Sequence, residues 1–389
     1  MTVSRRTFLR ALPAPLLAAN KYDVVIRGGR VIDPSQRIDR VADVAVRDGK
    51  IAAIGSGFPA AHTIEAHGKL VVPGLIDIHL HGGEPGLPPS EVLSTGVTTM
   101  VDAGSTGADN VDGLIEIART APNRMRILLN IARLGNHNPD NHPEFLDGMA
   151  LADVPKAIAA ASRERQWIVG IKARLSRGIA ANHDLEVVRA ARQVADPLRI
   201  PIMVHIGDTF SPLPAILDVL RPGDIVTHCY APPPHGIMDD QGRVLDEVRA
   251  ARRRHIRFDF GNGRTEHWTW DVAQSAMKQG FLPDTISTDL NTLGHGDQVV
   301  DLPNVMSKFL FMGMPLNEVI ARVTINSART FREFASLGTL RRGAPADITV
   351  LDLKQGSFEF VDNYKNKRSG SQRLVAGAVV AAGRVVTGG

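Results

Sequence analysis

His79 and His81 stand one residue apart at the end of an apolar run, VVPGLIDIHLHGG, residues 71–83. On a β-strand, positions i and i+2 project to the same face. Both imidazoles can therefore address one point near the C-terminal end of that strand, where a divalent metal ion could bind between them. A strand that happens to carry two polar residues fits the same pattern, so the rest of the chain has to decide.

Four more residues end apolar runs further on: Lys172 in VGIKARLS, His205 in PIMVHIGD, His228 in GDIVTHCY and Asp289 in TISTDL. Taken singly, His205 and His228 suit core histidines, and Asp289 could cap the segment after it. Lys172 is more pointed, because a lysine ending a buried strand must find a partner or lose its charge. Jointly the six read as a two-metal site, with His79 and His81 on one ion and His205 and His228 on the other. A ligand must bridge the two cations, and an ammonium cannot. Lys172 carboxylated by CO₂ can, since a carbamate presents two anionic oxygens. A bridging hydroxide would complete the site and act as nucleophile, two cations lowering the pKa of that water. Asp289 would bind a metal or the hydroxide and carry the proton to the leaving group. Asp77 lies on the same strand face as His79 and would order these groups from below.

Such residues need a frame that brings many strand ends together. Eight apolar, β-branched runs fall at 71–79, 96–102, 125–131, 167–172, 200–206, 224–229, 255–260 and 284–289. Helical patterns lie between most of them, as at 154–165, 184–195, 243–254 and 270–280. Eight alternating units predict an α/β fold of the (β/α)8 TIM barrel type, which builds its sites at the C-terminal ends of its strands. The six candidate residues lie at or near such ends. A doubly wound open sheet is the alternative, weakened because no G-x-G-x-x-G follows an early strand. Short strand patterns with Gly-rich turns fill 22–64 and return at 338–353 and 373–386, predicting a small β-sandwich built from both chain ends. The expected division is residues 1–20 as a twin-arginine signal peptide, 21–67 and 333–389 as the β-sandwich, and 68–332 as the barrel.

The 389 residues, 43% hydrophobic and 22% charged, have the composition of an ordinary globular chain. No apolar run is long enough for a membrane span. The one cysteine, Cys229, permits neither an internal disulfide nor a Cys-based zinc cluster. Ser4-Arg5-Arg6-Thr7-Phe8-Leu9-Arg10 followed by apolar residues 11–19 matches a twin-arginine export signal, which predicts a periplasmic enzyme handled by the twin-arginine machinery. A basic tail on a cytoplasmic protein is the alternative. Residues 1–19 hold three arginines and no acid, so without them the formal charge drops from +4 to +1. The basicity sits in the tail and gives no nucleic-acid surface. A small-molecule substrate is the partner implied, and a homo-oligomer is compatible with the sequence.

The ordered set of His-x-His, Lys, His, His and Asp, framed by VVPGLIDIHLHGG and PADITVLD, resembles the amidohydrolase superfamily. VDAGSTGADN, VGIKARLSRG, VHIGD, GDIVTHCYAPPPHGI, LPDTISTDL, DLPNVMSKFL and GMPLNEVIARVT are similar to its dihydroorotase-related deacetylase branch, close to D-aminoacylase-like enzymes. The resemblance covers the chain from Lys21 on. It implies a barrel with a β-sandwich, a binuclear centre of zinc type, carboxylated Lys172, and hydrolysis of an N-acyl amide or related acyl bond. A cyclic-amide hydrolase of dihydroorotase or hydantoinase type and an acyl-ester hydrolase are the alternatives. From another class, an inactive barrel serving as a binding or scaffold protein would be expected to have lost some of the six residues, and all are present. The chain departs from the branch at Gly261-Asn262-Gly263, where Gly-His-Gly is expected, at Asn291, where a histidine is expected, and at Glu266-His267-Trp268. These departures bear on the substrate, so Asn262, Asn291 and His267 are candidate substrate contacts, with Trp268 as a bulky wall. Arg174, with Arg177, could bind a substrate carboxylate. His137, His142 and His235 could border the mouth, and Asp208 could orient His205.

Overall fold

The computed structural model describes residues 21–83, 86–136, 144–145, 147–292 and 299–387. The expected signal segment, His137 and His142 lie outside them. Among the described residues the strands form two sheets.

One sheet joins both chain ends. Its strands are β1 (Tyr22–Asp33), β2 (Ile38–Arg47), β3 (Lys50–Gly55), β4 (Ala60–Glu65) and β5 (Leu70–Pro73), with three more from the other end. In the second sheet, β6 (Leu75–Leu80), β7 (Val97–Ala103), β8 (Arg124–Asn130), β9 (Ile168–Arg174), β10 (Ile202–His205), β11 (Ile225–Thr227) and β12 (Arg257–Phe258) lie side by side in chain order. Every neighbouring pair is parallel. The late strands β13 (Ile348–Val361), β14 (Lys367–Ala381) and β15 (Arg384–Thr387) complete the first sheet in the order β15-β14-β13-β5-β1-β2-β3, with β4 on β1. Val24, Ile26, Val44, Val46, Val71, Ile348 and Val350 form that sheet's own apolar core.

The run at 71–79 is thus two strands rather than one. Leu70–Pro73 pairs with β13 in the chain-end sheet, and the barrel starts at Leu75. The break falls at Gly74, where a Cβ would collide with the Thr98 hydroxyl, so the backbone crosses between the sheets at a point only glycine allows.

The eighth predicted strand, 284–289, closes the barrel without being a regular strand. Thr285 bridges Asp259 and Leu290 bridges Leu80, both in parallel sense. Backbone bonds run from Phe260 N to Thr285 O (3.0 Å), Asp289 N to His79 O (2.6 Å) and His81 N to Leu290 O (2.8 Å). Two buried carboxylates secure the same seam. Asp77 accepts from the Thr288 hydroxyl at 2.6 Å, and Asp259 accepts from Thr285 and Ser287 at 2.7 and 2.6 Å.

Helices Val154–Arg163, Asp184–Leu198, Asp246–Arg253 and Trp270–Lys278 occupy the predicted intervals. The Asp153 carboxylate and Thr269 hydroxyl cap two of them by accepting from the backbone N–H three residues on. Ile127, Leu129, Ile171 and Val204 of the strands pack against Leu114, Val187 and Val248 of the helices in one continuous apolar layer. That layer holds the strands rigid from outside, which leaves their C-terminal ends free to carry polar groups.

Candidate metal centre

In a parallel barrel all C-terminal ends open on one side, and the six candidate residues meet there. His79 lies inside β6 and His81 follows it; Lys172 lies inside β9; His205 ends β10; His228 follows β11; Asp289 lies in the closing segment. All six are buried, Lys172 to 1% and Asp289 to 6% exposure. His228 and Asp289 have φ of 60° and 50°, a left-handed conformation that non-glycine residues adopt at a cost.

Hydrogen bonds behind the histidines fix which nitrogen faces the centre. Thr227 donates its proton to Asp259 at 2.8 Å, so its oxygen accepts from His79 Nδ1, also at 2.8 Å. Ser105 donates to Asp102 at 2.5 Å and accepts from His81 Nδ1 at 2.8 Å. His228 Nδ1 donates to Gly261 O at 2.8 Å. In each case the proton is held on Nδ1, and Nε2 presents a lone pair inward.

Those lone pairs converge. Asp289 Oδ1 lies 3.2 Å from Nε2 of both His79 and His81, and Oδ2 lies 3.8 Å from His228 Nε2. His228 Nε2 lies 3.1 Å from His205 Nδ1, and Lys172 Nζ lies 2.8 Å from His79 Nε2. Acceptor atoms this close need a shared cation or shared protons. Single donor atoms of His79, His228 and Asp289 lie within 4.8 Å of one another, as do those of His205, His228 and His267, so both groups could hold a divalent metal ion.

Electrostatics agree at most of these groups, the exception being His79, where burial and Lys172 lower the pKa but Asp289 and Asp259 outweigh them and raise it above the usual histidine value. Burial lowers Lys172 to about 8, which brings the neutral amine closer to hand than in a free lysine. Burial, then mutual repulsion among the imidazoles, holds His205 and His228 well below the usual histidine range. Burial lowers His267 to about 4. Burial would raise Asp289, but His79, His81 and His228 outweigh it and hold the carboxyl well below the usual range. Burial raises Asp77 to about 7 against the bonds it accepts from Thr288 and His79.

The other candidates divide. Arg174 stands at the mouth, its Nη1 donating to Asn136 (2.5 Å) and Glu144 (2.9 Å), with about a quarter of the side chain exposed. His267 joins the cluster, with Nδ1 3.6 Å from Asp289 Oδ2 and its ring stacked on His228 at 3.9 Å. Asn291 is partly buried, its amide 3.4 Å from the Asp289 carbonyl. Asn262 is fully buried, its oxygen accepting from Lys308 Nζ (2.8 Å) and its amide donating to Gly263 O (2.8 Å). Trp268 is no wall at the mouth, being buried between Phe260 and Trp270. Asp208 turns to the rim, 3.9 Å from Arg177, with half its side chain exposed, rather than orienting His205. His235 Nδ1 bonds the Thr209 carbonyl at 2.8 Å.

Sequence reasoning missed Asp102, Ser105, Thr227 and Asp259, which orient the histidines from neighbouring strands. It also missed Glu144, which holds Arg174, and Lys308, buried beneath Asn262. Spacing along the chain gives no sign of them; only an acid buried inside an apolar strand, as in VTTMVDA for Asp102, hints at a role.

No family model matches the chain. A deacetylase of Agrobacterium fabrum is 34% identical over 326 residues, covering 81% of this chain and 79% of the relative. The crystal structure of an adenine deaminase matches with a TM-score of 0.85 at 28% identity, covering 94% of this chain and 99% of that one. A dihydroorotase crystal structure matches with a TM-score of 0.85 at 29% identity, covering 94% and 97%. No helix among the described residues is long and apolar enough to cross a membrane. Set beside the closed parallel barrel and the polar cluster at its mouth, these likenesses show that the chain belongs to the amidohydrolase superfamily, within the family of the Agrobacterium deacetylase, and is a hydrolase.

Proposed function

We propose that the protein is a metal-dependent hydrolase of the deacetylase type, cleaving an N-acyl amide. The observation that carries this reading is the convergence of Nε2 of His79 and His81 on Asp289 Oδ1 at 3.2 Å, each imidazole already tied down through Nδ1. The donor set suits zinc: His79, His81, His205, His228 and Asp289 would hold two divalent ions, and Lys172, as its carbamate, would bridge them. When bound, the ions would acidify a water and polarise the acyl carbonyl.

The chain's own groups would do the rest. Asp289 lies between the His79/His81 pair and the His228/His267 pair, so its carboxylate can take a proton from an attacking water and return it to the leaving nitrogen. Lys172 is lowered to about 8 by burial, which raises the fraction of neutral amine that reaction with CO₂ requires. Arg174, steadied by Glu144 and Asn136, would meet a carboxylate on the substrate at the mouth. The twin-arginine pattern at Arg5-Arg6 supports export of the folded enzyme to the periplasm. A cyclic amide is the second substrate class, supported by the likeness to a dihydroorotase structure at 29% identity.

Elemental analysis of the purified chain tests the metal. A panel of N-acetyl and N-formyl D- and L-amino acids, acetyl esters of 2-hydroxy acids and cyclic amides tests the bond. Metal-dependent release of acetate or formate from the amides is the expected result. Turnover of cyclic amides alone would replace the reading with the second class, and a chain without metal or turnover would overturn it.

A further inference from the structure

At the end of the barrel opposite the candidate centre, a cavity of about 280 Å³ is lined by Gly223, Arg252, His255, Ile256, Arg257 and Asp284. The closed barrel gathers these residues from distant parts of the chain. Arg252 lies in the last turn of the helix Asp246–Arg253, and His255 and Ile256 lead into β12, which Arg257 opens. Gly223 precedes β11, and Asp284 opens the closing segment. All lie at the N-terminal ends of strands, whereas Lys172, His205, His228 and Asp289 lie at the C-terminal ends.

Charges around this cavity do not balance. Arg252 Nη2 donates to Leu282 O at 2.6 Å and Arg257 Nη2 to Arg329 O at 2.8 Å, so each guanidinium spends a donor on a neutral carbonyl. Nε of both is buried without a hydrogen-bond partner among the described residues. Asp284 is the carboxylate of the lining, and it is shared. Its Oδ2 accepts from the Phe258 N–H at 2.7 Å and lies 3.5 Å from Arg252 Nη2. Two cations thus meet one anion, although charges withdrawn from water are ordinarily paired. Burial lowers the pKa of Arg257; Asp284 opposes that, and Arg329 reinforces it. A basic last turn is expected of any helix, because cations offset the carbonyl end of its dipole. That accounts for Arg252 but not for Arg257, which belongs to a strand.

We propose that this cavity binds a small tetrahedral oxyanion, phosphate or the phosphate group of a small molecule, between Arg252 and Arg257 with His255 at its exposed edge. Guanidinium forks match phosphate oxygens, and an imidazole N–H adds one more donor. A carboxylate could satisfy one fork, whereas phosphate has oxygens for both arginines and the ring. The Arg252 guanidinium lies over the Phe281 ring, 3.8 Å from its centroid, so its place is set before a ligand arrives. The volume equals that of about nine waters at roughly 30 Å³ each. It falls just short of the usual small-molecule pocket of about 300–1,000 Å³, which suits an anion rather than a large cofactor. The occupant would not touch the substrate. It would neutralise the seam between β12 and the closing segment, where the Asp284 N–H donates to Phe258 O at 2.7 Å, and so stabilise the closed barrel.

The test is calorimetric titration of the full-length protein with inorganic phosphate, at ionic strength held constant with sodium chloride, for the wild type, Arg257→Gln and His255→Asn. Unfolding midpoints with and without phosphate accompany it, and circular dichroism confirms that each variant is folded. The wild type is expected to take up phosphate and to unfold at a higher temperature in its presence. Arg257→Gln should weaken that binding about 10–100-fold, as loss of one charge-assisted bond does. His255→Asn should weaken it as well. It keeps the test open if Arg257→Gln does not fold, since His255 is exposed and asparagine accepts its φ of 66°. Succinate should bind more weakly than phosphate; binding at least as tight would assign the cavity to carboxylates and overturn the phosphate reading. No phosphate binding by the wild type, or binding unchanged in both variants as expected of phosphate held at the metal centre, would overturn the proposal.

Discussion

Asp259 lies beneath His79 with only the Thr227 hydroxyl between them, at 2.8 Å from each. The carboxylate takes the hydroxyl proton, the hydroxyl oxygen takes the imidazole proton, and His79 Nε2 is left as a lone pair. Thr227→Val keeps the shape and breaks this relay. Metal affinity is expected to fall about 10–100-fold, with Thr227→Ser restoring it. Chelator competition at fixed pH measures the effect; equal affinity in Thr227→Val would show that the relay does not set the tautomer.

Lys172→Ala should lose activity and part of the bound metal, because the bridge is removed. Short-chain carboxylic acids, which offer two oxygens as a carbamate does, should restore a fraction of turnover. Elemental analysis and assays with and without added acid check this. A variant with full metal occupancy and normal turnover would exclude the bridging role.

Asp289→Asn has similar shape but cannot carry a proton. Metal content should stay near the wild-type level while kcat falls by about 10²–10⁴-fold. Retention of the wild-type kcat would place proton transfer on another group.

Lys308 gives a pH signature unrelated to the centre's metal. Burial lowers it from 10.5 to about 7, partly offset by Asp362. The unfolded chain keeps that proton up to the ordinary value, so between the two pKa values the unfolded state holds more protons than the folded one. Stability from this group therefore rises with pH across that window, by up to about 1.4 kcal/mol per unit. Lys308→Met should flatten the dependence, read by urea unfolding of both proteins at neutral and at moderately alkaline pH. Parallel pH dependences would rule out a buried, readily deprotonated lysine.

Asn262 and Asn291 should behave differently, although both stand where the family suggests histidine. Asn262→Leu removes the acceptor that Lys308 Nζ meets at 2.8 Å and should cost about 1–3 kcal/mol of stability while leaving the ranking of substrates unchanged. Asn291→His, next to Asp289, should shift relative kcat/KM between substrates by about 1–3 kcal/mol. A common substrate panel for both variants, with unfolding curves, separates the two effects.

The centre was legible where chain geometry is local. His79 and His81 share a strand face by spacing alone, and Lys172, His205, His228 and Asp289 each close an apolar run, which in a barrel fixes their side. What could not be read depends on contacts across strands. Thr227 and Asp259 act on His79 from β11 and the end of β12, and Ser105 and Asp102 act on His81 from the β7 edge. The break at Gly74 was hidden because hydrophobicity runs on through it; the need for glycine comes from the close approach of Thr98, which an added Cβ would meet. The hydrogen bonds of Asn262 were hidden for a similar reason. Nothing in GNG shows that the helix Leu302–Phe311 brings a lysine underneath it.

The grip of Asn363 and Asn366 on the loop bearing His267 and Trp270 has a consequence for timing. Those two asparagines follow the barrel in chain order, in the turn between β13 and β14, and β14 pairs along most of β13. A chain emerging from the ribosome makes all the strands of the parallel ladder before that hairpin exists, so the mouth loop cannot be fixed until the last part of the chain has been made. The mouth loop is therefore the part of the centre that waits for the hairpin, and the same hairpin, through Leu351, Phe360 and Leu374, also completes the barrel's apolar core.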